Sequence, residues 1–442
     1  MYSYCKVALV LSRSPNNPAS RVPPDAMSSP MIALNVCVSR NRMCTALEFE
    51  ELSLVADVCC YIRRLPITEQ DDEQFGLFKL HQDPTKSCWL RMDKTLKDCC
   101  LKNGDSLEYR TRIRPLDVIT LDKLVTVIPV DDGQSVQRIT QSVCSKLGLS
   151  NHEEFSITVD RSNNDDDTRC SLNGKIVNWL ISEKTLREQG VPENTAVTLR
   201  KRFFISDLNL DQSDSVKLNL TYIQSRDTIV DGTLSCTKEE AISLAALQCH
   251  IQYGKYDSSN HTPGFLTLTD FIPKVYTSVR HVEALICNEH QRLLDIDKEE
   301  AKYKYIQLCY SLPTFGITFF LVQERRYTGK KMDIPRLLGV GRNNITRLDV
   351  KRKNIISIWP LSKIRRWTYC TDTFSLDFGQ YSTNAYTAKT TEGEIISDFL
   401  SSYVNIVSGS YHKLSDLVTD TLHVTDDHFY EITDKEDHFY EM

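Results

Sequence analysis

The 442-residue chain has no apolar run approaching the roughly 18–20 residues needed to cross a bilayer. No secretory signal is expected either. A weak apolar patch from Met1 to Leu11 has no basic region before it, and Pro15, Pro18, Pro23, Pro24 and Pro30 follow among Ser and Asn. Residues 1–30 therefore read as a disordered leader. Cysteine is plentiful, at fifteen, but C-x-x-C is absent, and the pairs Cys59-Cys60 and Cys99-Cys100 sit in apolar stretches. Zinc needs ligands clustered at short spacing, and a large secreted protein needs a signal peptide. The expectation is reduced, mostly buried thiols in a cytosolic protein, with no metal. Asp165, Asp166 and Asp167 lack the alternating ligands and distal glutamate of a calcium loop and read as a solvated loop.

Catalytic signatures are missing too. There is no G-x-x-x-x-G-K-[ST], H-E-x-x-H or G-x-S-x-G, and Gly339-Val-Gly341-Arg-Asn-Asn ends in asparagine in a strand–turn context. The ten histidines are dispersed. No catalytic residue and no cofactor are expected, and the chain reads as a non-enzyme.

What is present is a charge asymmetry and a repeat. The net charge is −6, yet Phe320–Cys370 holds thirteen Lys/Arg against three Asp/Glu, whereas the residues after Ser408 hold nine acids and two lysines. So basic a block suggests a surface that meets an anion. Trp89-Leu90-x-x-x-Lys94-Thr95-Leu96 recurs 90 residues later as Trp179-Leu180-x-x-x-Lys184-Thr185-Leu186. Fourteen residues after each last leucine an alternating basic strand ends, at Arg110 and at Arg200. This spacing marks two copies of one small domain.

In the first copy Ile32, Leu34, Val36 and Val38 alternate as in a half-buried strand, and Leu47–Glu50 makes a second. Val55, Val58, Cys59 and Ile62 then recur at helical spacing behind Ser53, a candidate N-cap. In the second copy two strands lead through Asp131-Asp132-Gly133 to a helix behind Ser135. Strand–turn–strand–helix followed by short strands is the order of a ubiquitin-like β-grasp, and each Trp-Leu pair is expected to close its own core. From Ser215 to Leu312 the period becomes 3.6, with a capping box at Thr237–Glu240 and a stop at Gly254. Past Pro313 strands return, and a second capping box at Thr391–Glu394 opens an amphipathic helix ending at Val407.

The expected fold is therefore α+β and multidomain. A disordered leader, 1–30, precedes ubiquitin-like modules at 31–112 and 113–203. An all-α, acyl-CoA-binding-protein-like module follows at 204–312, then a PH/PTB-like sandwich with a C-terminal helix at 313–407. An acidic tail at 408–442 reads as disordered. It carries Asp427-His-Phe-Tyr-Glu431 and again Asp437-His-Phe-Tyr-Glu441, a repeat without a physical account at this level.

Ubiquitin-like, helical and PTB-like modules in series make a FERM domain. With the extra ubiquitin-like module in front, Phe75–Phe78, Trp179-Leu180, Thr185–Val191, Lys201–Phe204, Gly264–Leu266, Pro335–Gly339, Arg366-Trp367, Leu376–Gly379 and Thr390–Glu394 together resemble the talin head over residues 31 to 407. The resemblance implies a cytoskeletal adaptor at the cytoplasmic face of the plasma membrane, at focal adhesions. It would link integrin β cytoplasmic tails and acidic phospholipids to actin, directly or through a rod.

In that family the PTB-like module takes an NPxY-type segment along a strand edge by β-augmentation. The matching strand here holds Arg365, Arg366, Trp367, Thr368 and Tyr369. Trp367 would receive an aromatic of the peptide, and Arg366 would meet its backbone or acids. Arg325, Arg326, Lys330 and Lys331 match basic residues set against phosphatidylinositol bisphosphate. In the helical module Lys274, Lys255 and Arg280 match, while Thr267, Thr269 and Thr277 replace expected lysines. Met332 stands where talins present a leucine to the membrane-proximal part of the tail, and Asp333 beside it departs from the pattern. Tail binding is thus expected ahead of integrin activation. A second reading is a membrane-docking FERM scaffold for another receptor tail or a Ras-family GTPase, through Arg40, Arg42 and Arg63. No RRM, KH or helix-turn-helix pattern supports nucleic acid.

Overall fold

Ile32, Leu34, Val36 and Val38 are all buried in the computed structural model, one face of strand β1 (Met31–Val38). The structure describes residues 30–38, 43–65, 74–81, 86–160, 177–205, 214–293, 296–326, 332–379, 385–407 and 428–431. The expected leader up to residue 29, the aspartate-rich loop and most of the acidic tail lie outside them. Two compact units divide the chain: residues 1–117, 127–139 and 183–195 form one, and residues 118–126, 140–182 and 196–442 the other.

The first sheet combines β1 with β2 (Met43–Glu50), β3 (Phe75–Lys79), β4 (Cys88–Trp89) and β5 (Ser106–Thr111), in the order β2-β1-β5-β3-β4. Helix α1 (Val55–Arg63) buries Val55, Val58, Cys59 and Ile62 in the core of this sheet. Its N-cap is Leu54, with no side-chain cap, so Ser53 does not play that role. The second sheet uses β6 (Ile113–Ile119), β7 (Val125–Asp131), β8 (Phe155–Val159), β9 (Asn178–Trp179) and β10 (Val197–Lys201). Its order, β7-β6-β10-β8-β9, repeats the first strand for strand. Helix α2 (Val136–Lys146) follows β7.

Two expectations change here. Leu90 and Leu180 are buried, but Trp89 and Trp179 are not in the cores of their own sheets. Neighbouring strand residues face opposite ways, so the Leu that points in sends the Trp out. The cysteine reading changes as well. Cys37 and Cys44 sit directly opposite on β1 and β2 and are joined as a disulfide. Of the free thiols described, only Cys59, Cys144, Cys249 and Cys309 are buried.

The helical module holds α3 (Ser215–Val230), α4 (Lys238–Tyr253), α5 (Val282–Arg292) and α6 (Lys298–Tyr310). Thr237 and Glu240 form the expected capping box, and Gly254 (φ 80°) closes α4. Glu154, 1% exposed, forms ion pairs with Lys201 and Lys217 at 3.1 Å each and so ties the end of β10 to α3. A buried carboxylate between two ammonium groups is stable only with both in place.

The last sheet contains β11 (Thr318–Arg326), β12 (Met332–Val340), β13 (Asn344–Asp349), β14 (Ile355–Pro360), β15 (Arg366–Tyr369), β16 (Thr373–Asp377), β17 (Tyr386–Lys389) and β18 (His428–Glu431). Its order is β14-β13-β12-β11-β17-β16-β15-β18, with β11 and β17 joined at Gln323↔Lys389. Helix α7 (Gly393–Val407) covers it, burying Ile396, Phe399, Leu400 and Tyr403. The helix begins one residue later than a box at Thr391 would place it, and the Glu392 N–H donates to Thr390 Oγ1. Arg202 is fully enclosed. It donates to Asp398 Oδ2 at 2.7 Å and to Ser182 Oγ at 2.9 Å, with its guanidinium 3.9 Å from the Phe399 ring. The expected disordered tail is a strand at residues 428–431.

Candidate functional site: the outer edge of β15

Strand β15 is short, and its residues divide by the pleat. Trp367 points inward, 3% exposed, among Phe374, Leu376, Ile396 and Leu400, and its Nε1–H donates to Ser397 Oγ at 3.0 Å. Its backbone partner on β16 is Leu376, while Thr368 faces Ser375 and Tyr369 faces Phe374. Gly393 lets α7 start close above the strand, because a Cβ there would lie 2.9 Å from Tyr369 Cβ. Arg366 faces solvent and donates from Nε to Asp377 Oδ2 at 2.8 Å. The Gly379 N–H donates to the other Asp377 oxygen. That backbone bond, with Arg366, holds the Asp377 carboxyl below its ordinary value. Arg365 is exposed, and its N–H donates to the Asp377 carbonyl.

The other side of β15 pairs with β18, antiparallel along its whole length: Arg366↔Glu431, Trp367↔Tyr430, Thr368↔Phe429 and Tyr369↔His428. An extended segment from the tail thus lies on the edge expected to take a peptide.

The remaining candidates are dispersed. Met332 opens β12 opposite Arg326, and Asp333 pairs with Arg325. β11, β17 and β16 separate β12 from β15, so Met332 is not at the β15 edge. Asp333 is held by Lys389 Nζ at 3.0 Å. Lys274 is exposed at the start of a single 3-10 turn, next to Val275, which is 75% exposed. Lys255 is exposed just past α4, and Arg280 is exposed with Nε on His281 Nε2. Arg63 is half-buried at the end of α1, where the neighbouring Tyr109 raises its pKa. Lys330, Lys331, Arg40 and Arg42 lie outside the described residues.

Part of the basic block is committed internally. Arg347 pairs with Glu324, and Arg336 reaches Asp349 at 2.7 Å and Glu324 at 3.7 Å. Arg342 donates to the Ile205 carbonyl. Reading the sequence alone missed Asp377, Ser397 and the tail strand. Only the last left a signal there, the twice-written Asp-His-Phe-Tyr-Glu.

Residues 32–111 match the N-terminal or F0 domain of the talin-head FERM. Residues 207–320 match the FERM central domain, and residues 320–408 the PTB domain (IRS-1 type). Talin of Oscarella pearsei is 40% identical over 400 residues, 86% of this chain. These residues form a FERM head of the talin type. Human Talin-2 is 37% identical over 85% of the chain, and Talin-B of Dictyostelium discoideum is 37% identical over the same share. The chain spans only 16%, 16% and 14% of the lengths of these three talins. Among solved structures, the FERM and C-terminal domain complex of Drosophila Merlin is similar at a TM-score of 0.54 and 19% identity. The match covers 67% of this chain and 98% of that one. The Dictyostelium Myosin VII MyTH4-FERM MF2 domain matches at 0.53 and 19%, covering 66% of this talin-type head and 58% of that chain. Both likenesses show the FERM fold. No helix among the described residues is long and apolar enough to cross a membrane.

Proposed function

We propose that this talin-type head is a cytoskeletal adaptor, not an enzyme, working at the cytoplasmic face of the plasma membrane at adhesion sites. In this reading the β15 edge takes the NPxY-type region of an integrin β cytoplasmic tail. Basic side chains hold the head to phosphatidylinositol bisphosphate and other anionic lipids, and the assembly links to actin. The observation that carries the reading is the extended segment already seated on β15 by main-chain pairing. In β-augmentation such bonds supply affinity, and alternate side chains supply selection.

Arg365 and Arg366 flank the edge with positive charge, and Trp367 sets the strand's position from beneath. Lys274, Lys255, Arg280, Arg325, Arg326, Lys330 and Lys331 are the lipid candidates. Each basic residue near an anionic surface contributes about 1 kcal/mol. The exposed Val275 beside Lys274 suits contact with that interface. No specific observation favours the GTPase alternative: Arg63 is half-buried at the end of α1.

The test is fluorescence anisotropy of a labelled integrin β tail peptide with the full chain. Arg366→Glu is expected to weaken binding about tenfold, roughly 1.5 kcal/mol for a charge-assisted contact, and to leave the melting temperature unchanged. Trp367→Ala is a poor control because that ring is buried. A peptide that bound neither the native chain nor one with β18 disrupted would sink the reading.

A further inference from the structure

We infer that His428-Phe429-Tyr430-Glu431 is an in-chain occupant of the β15 edge, and that the edge is a docking site for acidic–aromatic extended segments. A receptor tail would then enter only by displacing the chain's own strand. This rests on the peptide-binding reading of the edge given above.

Four observations converge on it. First, all four residues of β15 pair with β18, so no edge remains open to a second strand there. Second, charge is complementary. The residues after Ser408 hold nine acids and two lysines, the sheet's own Phe320–Cys370 is strongly basic, and the register sets Glu431 opposite Arg366.

Third, the tether is short. Residues 408–427 are all that separates α7 from β18. A segment on a short linker is presented at about millimolar effective concentration, so a pairing too weak to persist between separate molecules can persist within one. Fourth, the five residues Asp427–Glu431 recur at Asp437–Glu441. The tail therefore carries two copies of a sequence that fits the edge. Four residues of strand pairing are weak on their own, which makes the occupant displaceable.

The experiment uses the full chain and needs no receptor in its first arm. Amide hydrogen exchange at Arg366–Tyr369 is compared between the native protein and a variant carrying Phe429→Pro, Tyr430→Pro, Phe439→Pro and Tyr440→Pro. Adjacent prolines remove whichever N–H of each pair enters the ladder. Exchange is expected to quicken at least about tenfold in the variant, and to slow again on adding a synthetic peptide of the 427–431 sequence. The second arm is affinity for an integrin β tail peptide, expected to be about 3- to 10-fold tighter in the variant.

Equal exchange in the two proteins would overturn the inference, even if both bound the tail peptide, which would leave the adaptor reading standing. Faster exchange in the variant, slowed by the 427–431 peptide but with no tail binding by either protein, would support the inference and sink the receptor-tail reading. Protection that survives prolines at 429 and 430 but is lost with all four would also support it, with the second copy taking the same edge.

Discussion

Trp89 and Trp179 occupy the same place in two copies of one sequence pattern and do different work. Each follows the same rule locally. The adjoining leucine is buried in its own sheet, and the indole faces outward. Outside Trp89 lies a polar anchor, Asp132, 1% exposed, which accepts from Trp89 Nε1 at 3.0 Å, Arg114 Nε at 2.7 Å and Arg187 Nε at 2.5 Å. Phe78 stacks edge-on to the indole at 5.1 Å, and the Arg110 and Arg187 guanidiniums lie 4.1 and 4.6 Å from the Phe78 ring. Outside Trp179 lies an aromatic one, Phe399 of α7 at 5.6 Å, with the Arg202–Asp398 pair beside it. A duplicated motif thus preserves how a module closes, while the outward residue is used according to what it meets.

The comparison breaks most sharply at the two aspartates. Asp398→Ala would leave Arg202, with no exposed side-chain surface, charged and unpaired, a loss of about 3–5 kcal/mol. Asp132→Ala should cost less, because Arg114 and Arg187 retain 11% and 16% side-chain exposure and can be rehydrated. Chemical denaturation of the two variants measures this. Equal losses would mean that burial of the orphaned arginine does not set the cost.

A smaller effect separates the indoles themselves. Trp89→Phe should lose about 1 kcal/mol, the net worth of its bond to Asp132. Trp179→Phe should cost less, since its described side-chain contacts are with the Phe399 ring and the Arg202 guanidinium, both of which a smaller ring can keep. Matching shifts in denaturation midpoint would erase the distinction.

The smallest effect at neutral pH becomes visible on acidification. Burial pushes the Asp132 carboxyl up, but the bonds from Arg114 and Trp89, with the charge of Arg114, outweigh it and hold the pKa below its ordinary value. A depressed carboxylate contributes its stability above the unfolded value, about 4, and loses it as pH falls through the lower folded value. Near-UV circular dichroism of the tryptophans should therefore stay flat from pH 7 to about 4 and change below it. Asp132→Asn should remove that step.

Much of the fold was legible in advance because it rests on local periodicity. Alternation in Ile32–Val38, the helical spacing of Val55–Ile62 and the Thr237–Glu240 box each declare an element through backbone geometry alone. Where short-range patterns compete, the reading slipped. Ser53 resembles a cap, yet the helix starts after Leu54. Thr391 resembles a box, yet α7 starts at Gly393. The β15 strand was placed correctly, but whether Trp367 faces in or out is a matter of which face the helix covers, and Ser397 lies thirty residues along the chain.

The Trp-Leu repeat, the order of modules and the charge imbalance follow from the chain alone, since each is a pattern of neighbours in sequence. Three features came only with tertiary structure. The Cys37–Cys44 link depends on register, the partition of the basic block depends on which arginines find Glu324 and Asp349, and residues 428–431 are a strand because β15 offers them an edge. A strand needs a partner to satisfy its backbone, so its existence is settled by what lies beside it in space.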